Sequence, residues 1–357
     1  MSGLYGLLFT KLTLPPSSAI NGKTILITGA NTGLGREAAR HALALGATTV
    51  IIGVRSLAKG EVAKTNIESS TSCTDKNKVL VWPVDLSSFT SVQAFAARVR
   101  QYVIQDGGRL DMAIMNAGVA SLEWAVTPDG WERQLQVNVL STALLSLELL
   151  PVLLRTREQH PSSRPHLAIL ASDNHKSVKF PDRNADRIFP VLNNQERWKR
   201  AQAAGGPTER YGVTKLMDIF ITMELAQLVP RDQHGEPLVV VNCLAPGFCK
   251  SDLLTREKVP WILKLVQALA ARTVQEGSKT LLHAVTQGVE THGKWLDNQA
   301  IAERVTFCSA ELRIQANRCG SPGPIVTDPD QAMVREKVWG EILAILRGVD
   351  HKIRTEY

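Results

Sequence analysis

Tyr211-Gly212-Val213-Thr214-Lys215 sets a phenol four residues before an ammonium. On a helix, positions i and i+4 share a face, with Cβ atoms ~6 Å apart. A phenol titrating near pH ~10 is a poor acid–base group at neutral pH, and adjacent positive charge favours its ionised form. The pair therefore suits proton transfer at a carbonyl or alcohol oxygen. An exposed Tyr/Lys helix pair is common, so the spacing alone is weak. Of the four tyrosines, however, only Tyr211 has lysine at +4. Ser172 closes the apolar run Leu167–Ala171, where a hydroxyl at a strand end can hold a substrate oxygen or merely serve a turn. His175, three residues on, is a rival base, although a lone loop histidine is more often a surface residue. Asn138 lies inside the apolar helix pattern Trp131–Leu150, where a buried amide must find a partner. It could kink the helix and fix a water, or bridge two helices.

A second group of residues could hold phosphate. Thr28-Gly29-Ala30-Asn31-Thr32-Gly33-Leu34-Gly35 follows the apolar run Thr24–Ile27 and opens a helical stretch at Arg36. A strand feeding a helix through a glycine turn leaves N-terminal amides and the positive dipole end free for a pyrophosphate. Gly29 would permit the tight turn, Gly33 the close approach of phosphate, and Gly35 the packing of helix on strand. The spacing is G-x-x-x-G-x-G. Taken alone it also fits an ordinary glycine turn.

These residues need a scaffold that brings them to one edge. Short β-branched runs at Lys23–Thr28, Thr48–Val54, Val79–Val84, Asp111–Met115, His166–Ala171 and Leu238–Cys243 alternate with helical patterns such as Arg36–Leu45 and Ser91–Val103. Most of the runs are apolar on both faces, as strands covered on both sides are. The alternation predicts an α/β fold: a Rossmann-type, doubly wound parallel sheet with helices on both faces. We expect a single domain over 21–300, preceded by an N-terminal arm, 1–20, and followed by a C-terminal extension, 301–357, packed on it. Residues 176–208, polar and rich in Arg, Asn and Gln, read as an insertion near the active-site mouth. Residues 248–275 read as a substrate-binding lid, with an amphipathic stretch at Val259–Ala271. A further helix pattern covers Val338–Leu346, after the turn-rich Cys319–Pro324.

Composition bounds the function classes. The 357 residues are 44% hydrophobic and 21% charged, ordinary for a globular chain able to bury a core without staples. Five scattered cysteines (Cys73, Cys243, Cys249, Cys308, Cys319) form no C-x-x-C, so neither a disulfide framework nor a metal site is expected, and a reducing, cytoplasmic setting fits. A net charge of +7 and a pI near 9.2 come from dispersed Lys and Arg without a dense basic block, which argues against nucleic acid as the partner. No apolar run reads as a transmembrane segment. Leu4–Phe9 is too short and too poor in basic residues for a signal peptide. It reads as an arm packed on the body, with weak membrane-surface contact as the other reading.

Thr28–Gly35, Asp85-Leu86, Asn116-Ala117-Gly118, Asn138, Ser172, Tyr211/Lys215 and Pro246-Gly247 occur in the order and sheet positions of the short-chain dehydrogenase/reductases, which the chain resembles over roughly residues 20–300. The resemblance implies Tyr211 as general acid/base, Ser172 as carbonyl-orienting donor, and Lys215 as the group that binds the nicotinamide ribose and depresses the tyrosine pKa. Asn138 would anchor a water relaying protons through Lys215. Gly29, Asn31, Thr32, Gly33, Leu34, Gly35 and Arg36 would form the cofactor loop. Asp85 and Leu86 would lie at the adenine, Asn116, Ala117 and Gly118 in the cofactor wall, and Pro246, Gly247 and Ser251 at the nicotinamide and pyrophosphate. One departure stands out: Ser172 and Tyr211 are 39 residues apart, against about a dozen in compact members of the family. The phrases Gly33–His41 and Gln136–Leu145 look like a retinol-dehydrogenase-like branch found among fungal enzymes that tailor secondary metabolites.

The second strand ends Gly53-Val54-Arg55, where an NAD-preferring enzyme needs a carboxylate for the ribose 2′-hydroxyl. Arg36, Arg55 and Lys59 instead suit a 2′-phosphate, so NADP(H) is the expected cofactor. The activity expected is hydride transfer between the nicotinamide and a carbonyl or secondary alcohol of a fairly large hydrophobic small molecule. Ketone reduction on a metabolite such as a polyketide is the favoured form. Oxidation of a retinoid- or steroid-type alcohol, or a catalytically silent NADP-binding scaffold, are the alternatives. The apolar face of Val259–Ala271 suits substrate, core packing or a homo-oligomer contact equally.

Overall fold

The computed structural model of the chain describes residues 11–71, 75, 78–206, 208–250, 271–302, 331–351 and 353. The six expected apolar runs form parallel strands: β1 Thr24–Thr28, β2 Thr49–Val54, β3 Val79–Pro83, β4 Met112–Met115, β5 His166–Leu170 and β6 Val240–Ala245. The last begins two residues later than the pattern suggests, because Val240 registers with His166 of β5. Two short strands, β7 Trp295–Asp297 and β8 Ala300–Ile301, complete an eight-stranded sheet ordered β3-β2-β1-β4-β5-β6-β7-β8. All pairings are parallel except β7 with β8. Strands of three and two residues give no periodic signal, so the sequence pattern does not disclose them.

Among the described residues the α-helices are α1 Gly33–Ala44, α2 Leu57–Ser70, α3 Phe89–Ile104, α4 Ser141–Gln159, α5 Ile188–Leu192, α6 Gln195–Gly205, α7 Glu209–Leu228, α8 Val274–Ala284 and α9 Gln331–Val349. Alternation along each strand divides the core in two. Ile25 and Ile27 of β1 face the layer of α1, α2 and α8, with Ala39, Ile67 and Leu281. Leu26 faces the layer of α3, α4 and α7, with Val99, Leu144 and Phe220. Each fully buried Leu or Ile contributes roughly 1.5–3 kcal/mol, which drives helices onto both faces. The pattern Trp131–Leu150 is not one uniform helix: a π-turn at Leu135–Leu140, centred near Asn138, leads into α4. Leu135–Gln159 is long and apolar enough to cross a membrane, but it is buried in the core.

The 176–208 segment is docked through an apolar face. Phe180, Ile188, Phe189 and Leu192 are fully buried against the α4/α7 layer, and Trp198 packs edge-on to Trp124. Helix α9 bolts this segment down: Glu341 accepts hydrogen bonds from the Ile188 and Phe189 amides at 2.7 and 2.9 Å. The arm lies on the body over its described part. Leu12 is buried, and Gln299 bonds both the amide and the carbonyl of Thr13. Past β6 the chain pairs with itself before and after residues 251–270: the Lys250 amide donates to the Arg272 carbonyl at 2.8 Å, and the Arg272 amide donates to the Phe248 carbonyl at 2.9 Å. Leu4–Phe9, Cys73, Ser251, residues 259–270 of the amphipathic stretch, Cys308 and Cys319–Pro324 lie outside the described residues.

Candidate active site

Because β1 to β7 run parallel, the ends of β1, β2, β4, β5 and β6 bring Gly29, Arg55, Asn116, Ser172 and Pro246 to one edge of the sheet. The strand order reverses between β1 and β4, the place where open α/β sheets bind ligands. There the Asn116 amide donates to the Thr28 carbonyl at 2.8 Å, and the Ala117 N–H donates to the Thr28 hydroxyl at 3.0 Å. Gly29 takes φ +69°, the left-handed region that glycine adopts freely. A Cβ on Gly35 would stand 2.5 Å from the Asn116 amide nitrogen and 2.9 Å from the Gly29 carbonyl, so only glycine lets α1 pack this closely.

Nothing described lies within 4 Å of a Cβ built on Gly33, and Thr32, at the α1 N-cap, gives the helix no side-chain cap. That open, donor-rich cradle fits a dinucleotide pyrophosphate. Arg36 is drawn onto Glu37 at 3.2 Å but stays one-third exposed. Arg55 and Lys59 are exposed and form no ion pair among the described residues, and Val54, the last residue of β2, is buried. Asp85 folds back on itself, accepting from the Ser87 amide at 2.9 Å and hydroxyl at 2.7 Å. Leu86 is buried, and its carbonyl accepts from Ser141. Gly118 lies against the Asn138 side chain and the Lys215 ammonium. Pro246 and Gly247 are half-buried, with the Cys249 thiol turned back on the Pro246 carbonyl.

Tyr211 sits in the first turn of α7, near enough to Ser172 for that side chain to act on the phenol. The intervening segment thus does not separate them: it leaves β5 through a 3-10 turn, docks, and returns to the same edge. Val178 of that segment presses where a Cβ on Gly212 would stand. Lys215 points its ammonium to within 5.8 Å of the Tyr211 ring centroid. Burial pushes the Tyr211 phenol above its ordinary pKa, while Lys215 and the Ser172 side chain pull it down. Burial works against the Lys215 ammonium, but Asp218 and Tyr211 outweigh it and hold its pKa above the usual lysine range.

The Asn138 side chain is fully engaged. Its oxygen accepts from the Val119 amide at 2.8 Å, and its nitrogen donates to the Val119 carbonyl at 2.8 Å and the Thr214 hydroxyl at 3.0 Å. With both amide protons engaged, it ties the loop after β4 to α7. The π-turn at Asn138 supplies the expected local kink, and the same side chain also bridges elements, so features of both expectations occur at this residue.

His175 corrects the expectation of a surface histidine. It is 1% exposed, packs edge-on to Trp295, and its Nδ1 lies 2.6 Å from the Ser172 carbonyl. Sequence reasoning also passed over Asp218, whose carboxylate lies 2.9 Å from the Lys215 ammonium. An acid in the apolar run Leu216-Met217-Asp218-Ile219-Phe220, at i+7 from Tyr211 and i+3 from Lys215, was the available signal. Gly277 of α8 was equally silent. A Cβ there would stand 2.3 Å from the Cys249 sulfur and 2.9 Å from Leu34, so it lets α8 support the glycine loop.

Fold and site together define a Rossmann-type oxidoreductase. Comparison with known proteins makes this specific: residues 23–160 match the short chain dehydrogenase family profile. The chain is 40% identical to short chain dehydrogenase atnD of Emericella nidulans over 302 residues, covering 83% of this chain and 90% of that one. It is 34% identical to short chain dehydrogenase/reductase dmxR8 of Cryptosporiopsis sp. over the full length of both. The protein belongs to the short-chain dehydrogenase/reductase family, whose members use NAD(P). Among solved structures, the Pseudomonas aeruginosa RhlG/NADP active-site complex shares the fold at TM-score 0.54 and 22% identity, covering 79% of this chain and 96% of that one.

Proposed function

We propose that the protein is an NADP(H)-dependent reductase of a ketone on a fairly large hydrophobic small molecule, a secondary metabolite such as a polyketide. The observation that carries this reading is the convergence of Ser172, Tyr211 and the Lys215 ammonium at the C-terminal edge of the sheet. NADPH, when bound, supplies the hydride. The glycine loop and the α1 N-terminus hold its pyrophosphate, and Lys215 offers the ribose the N–H that its two protein bonds leave over. Ser172 orients the substrate carbonyl oxygen. Tyr211 gives that oxygen its proton, the role a phenol protonated at neutral pH suits.

The preference for the phosphorylated cofactor is supported by Arg55 and Lys59, exposed beside a strand end that lacks a carboxylate. The NADP complex of RhlG, a protein of the same fold, is in keeping with it. The docked 176–208 segment forms one wall of the substrate site, supported by the contact of Val178 at Gly212. The catalytic unit spans 21–300, with α9 of the C-terminal extension packed on it through Val338, Trp339 and Ile342. The free thiols of Cys243 and Cys249 support a cytoplasmic setting.

The test is turnover of a panel of aromatic and aliphatic ketones with NADPH and with NADH. Reduction with NADPH favoured is the expected result. Tight NADPH binding without turnover of any ketone or alcohol overturns the reading.

A further inference from the structure

Asp218 is a buried charge beside the reacting groups that the proposed chemistry leaves unused. It is 1% exposed, on the face of α7 that carries Tyr211 and Lys215. Its Oδ2 accepts from the Lys215 ammonium at 2.9 Å, and the same ammonium donates to the Leu170 carbonyl at 2.6 Å. Asp218 Oδ1 is buried and has no hydrogen-bond partner among the described residues, so no other donor disperses its charge. The other groups that face this pair are few. Tyr211 shares the helix, Ser172 comes from the end of β5, and the Cys243 thiol comes from β6, pushed up to about 12 by burial and so neutral. The Thr222 hydroxyl is taken up by the backbone carbonyl of Asp218.

A buried ion pair is a poor way to stabilise a helix. Desolvating both charges offsets most of their attraction, and apolar residues of similar size serve as well. The neighbours Leu216, Met217, Ile219 and Phe220 are all buried, so an aliphatic side chain at 218 would match its surroundings. The carboxylate acts instead on what stands beside the ammonium. An uncompensated ammonium next to a phenol favours the phenolate; an ammonium paired with a carboxylate does so far less.

We propose that Asp218 is a positioning residue for the Tyr211–Lys215 pair: its carboxylate fixes the Lys215 ammonium and compensates the charge that this ammonium presents to the phenol. The phenol stays protonated into the alkaline range, which favours donation of a proton to a carbonyl over removal of one from an alcohol. The proposal rests on Tyr211 being the proton-transferring group.

Asp218→Asn keeps the shape and the acceptor for Lys215 while deleting the charge. The ultraviolet phenolate signal of the cofactor-free protein, taken as the difference from the matching Tyr211→Phe protein, titrates Tyr211 without any substrate. Its midpoint is expected to fall by about one pH unit in Asp218→Asn. The alkaline limb of the pH–rate profile for ketone reduction is expected to move down with it. An unchanged midpoint, with only thermal stability altered, overturns the proposal and leaves Asp218 a structural residue. A lowered midpoint in a protein that reduces no carbonyl supports charge compensation and sinks the reductase reading instead. Where Asp218→Asn does not fold, Asp218→Ser is read by the same titration.

Discussion

His175 Nδ1 lies 2.6 Å from the carbonyl oxygen of Ser172, and the histidine is buried while the serine faces the site. The ring thus donates to the backbone of the residue whose hydroxyl meets Tyr211. It fixes the turn that aims the hydroxyl.

That placement has a pH signature. Burial holds His175 neutral, lowering its pKa to about 4 from the ordinary 6.5. Between those values the unfolded chain binds the proton and the folded one does not, so stability falls as pH drops from about 6.5 to about 4. The loss from this residue is on the order of 3–4 kcal/mol, two and a half pKa units at ~1.4 kcal/mol each. His41, His166, His283 and His292 are depressed in the same direction, so a single curve sums them. Denaturant melts of wild type and His175→Gln across this window isolate the contribution. Parallel curves refute it.

Tyr211→Phe is expected to lower turnover at least ~100-fold, the range for a lost general acid, while NADPH affinity stays within about threefold. Steady-state kinetics with fluorescence titration of NADPH separates the two. Activity within a few-fold of wild type removes Tyr211 from the mechanism.

Arg55→Ala is expected to raise KM for NADPH by about 10- to 100-fold, the worth of one charge-assisted hydrogen bond, and to leave NADH kinetics nearly unchanged. Equal effects on both cofactors would place Arg55 away from the 2′-phosphate.

At Gly35 the prediction is steric. Alanine there must displace the Asn116 amide or the Gly29 carbonyl, costing about 1–3 kcal/mol of overpacking. Weaker NADPH binding is expected together with a lower melting temperature, because the same contacts shape the cradle. Calorimetric titration showing wild-type affinity would contradict this.

Glu341 caps a short helix from a distance, through two amides of the 176–208 segment. Glu341→Ala is expected to cost about 1 kcal/mol, as for a lost helix cap, and to speed proteolysis within 176–208 selectively. Cleavage spread evenly over the chain argues against a local clamp.

The parts of this molecule legible in the sequence are those that repeat or recur in fixed order. Six strands read correctly because residues such as Ile25, Leu26 and Ile27 are apolar on both faces, and the order of glycine loop, Ser172, Tyr211 and Lys215 names the family. What stayed hidden depends on tertiary neighbours. The polar composition of 176–208 concealed four deeply buried side chains, since Phe180 stands alone and Ile188, Phe189 and Leu192 fall in a single five-residue helix too short to give a periodic signal. His175 looked like a surface residue because nothing local predicts the Trp295 ring beside it. Asp218 was visible as an acid among apolar residues, but its partner is evident only once α7 is seen to bury that face.

The backbone pairing of Phe248 and Lys250 with Arg272 sets two feet of the chain side by side at the end of β6. The entropic cost of bringing two chain points together grows only logarithmically with the length of chain between them. The stem therefore tolerates a change in the number of residues it spans, and chimaeras between relatives have natural splice points at 250 and 272.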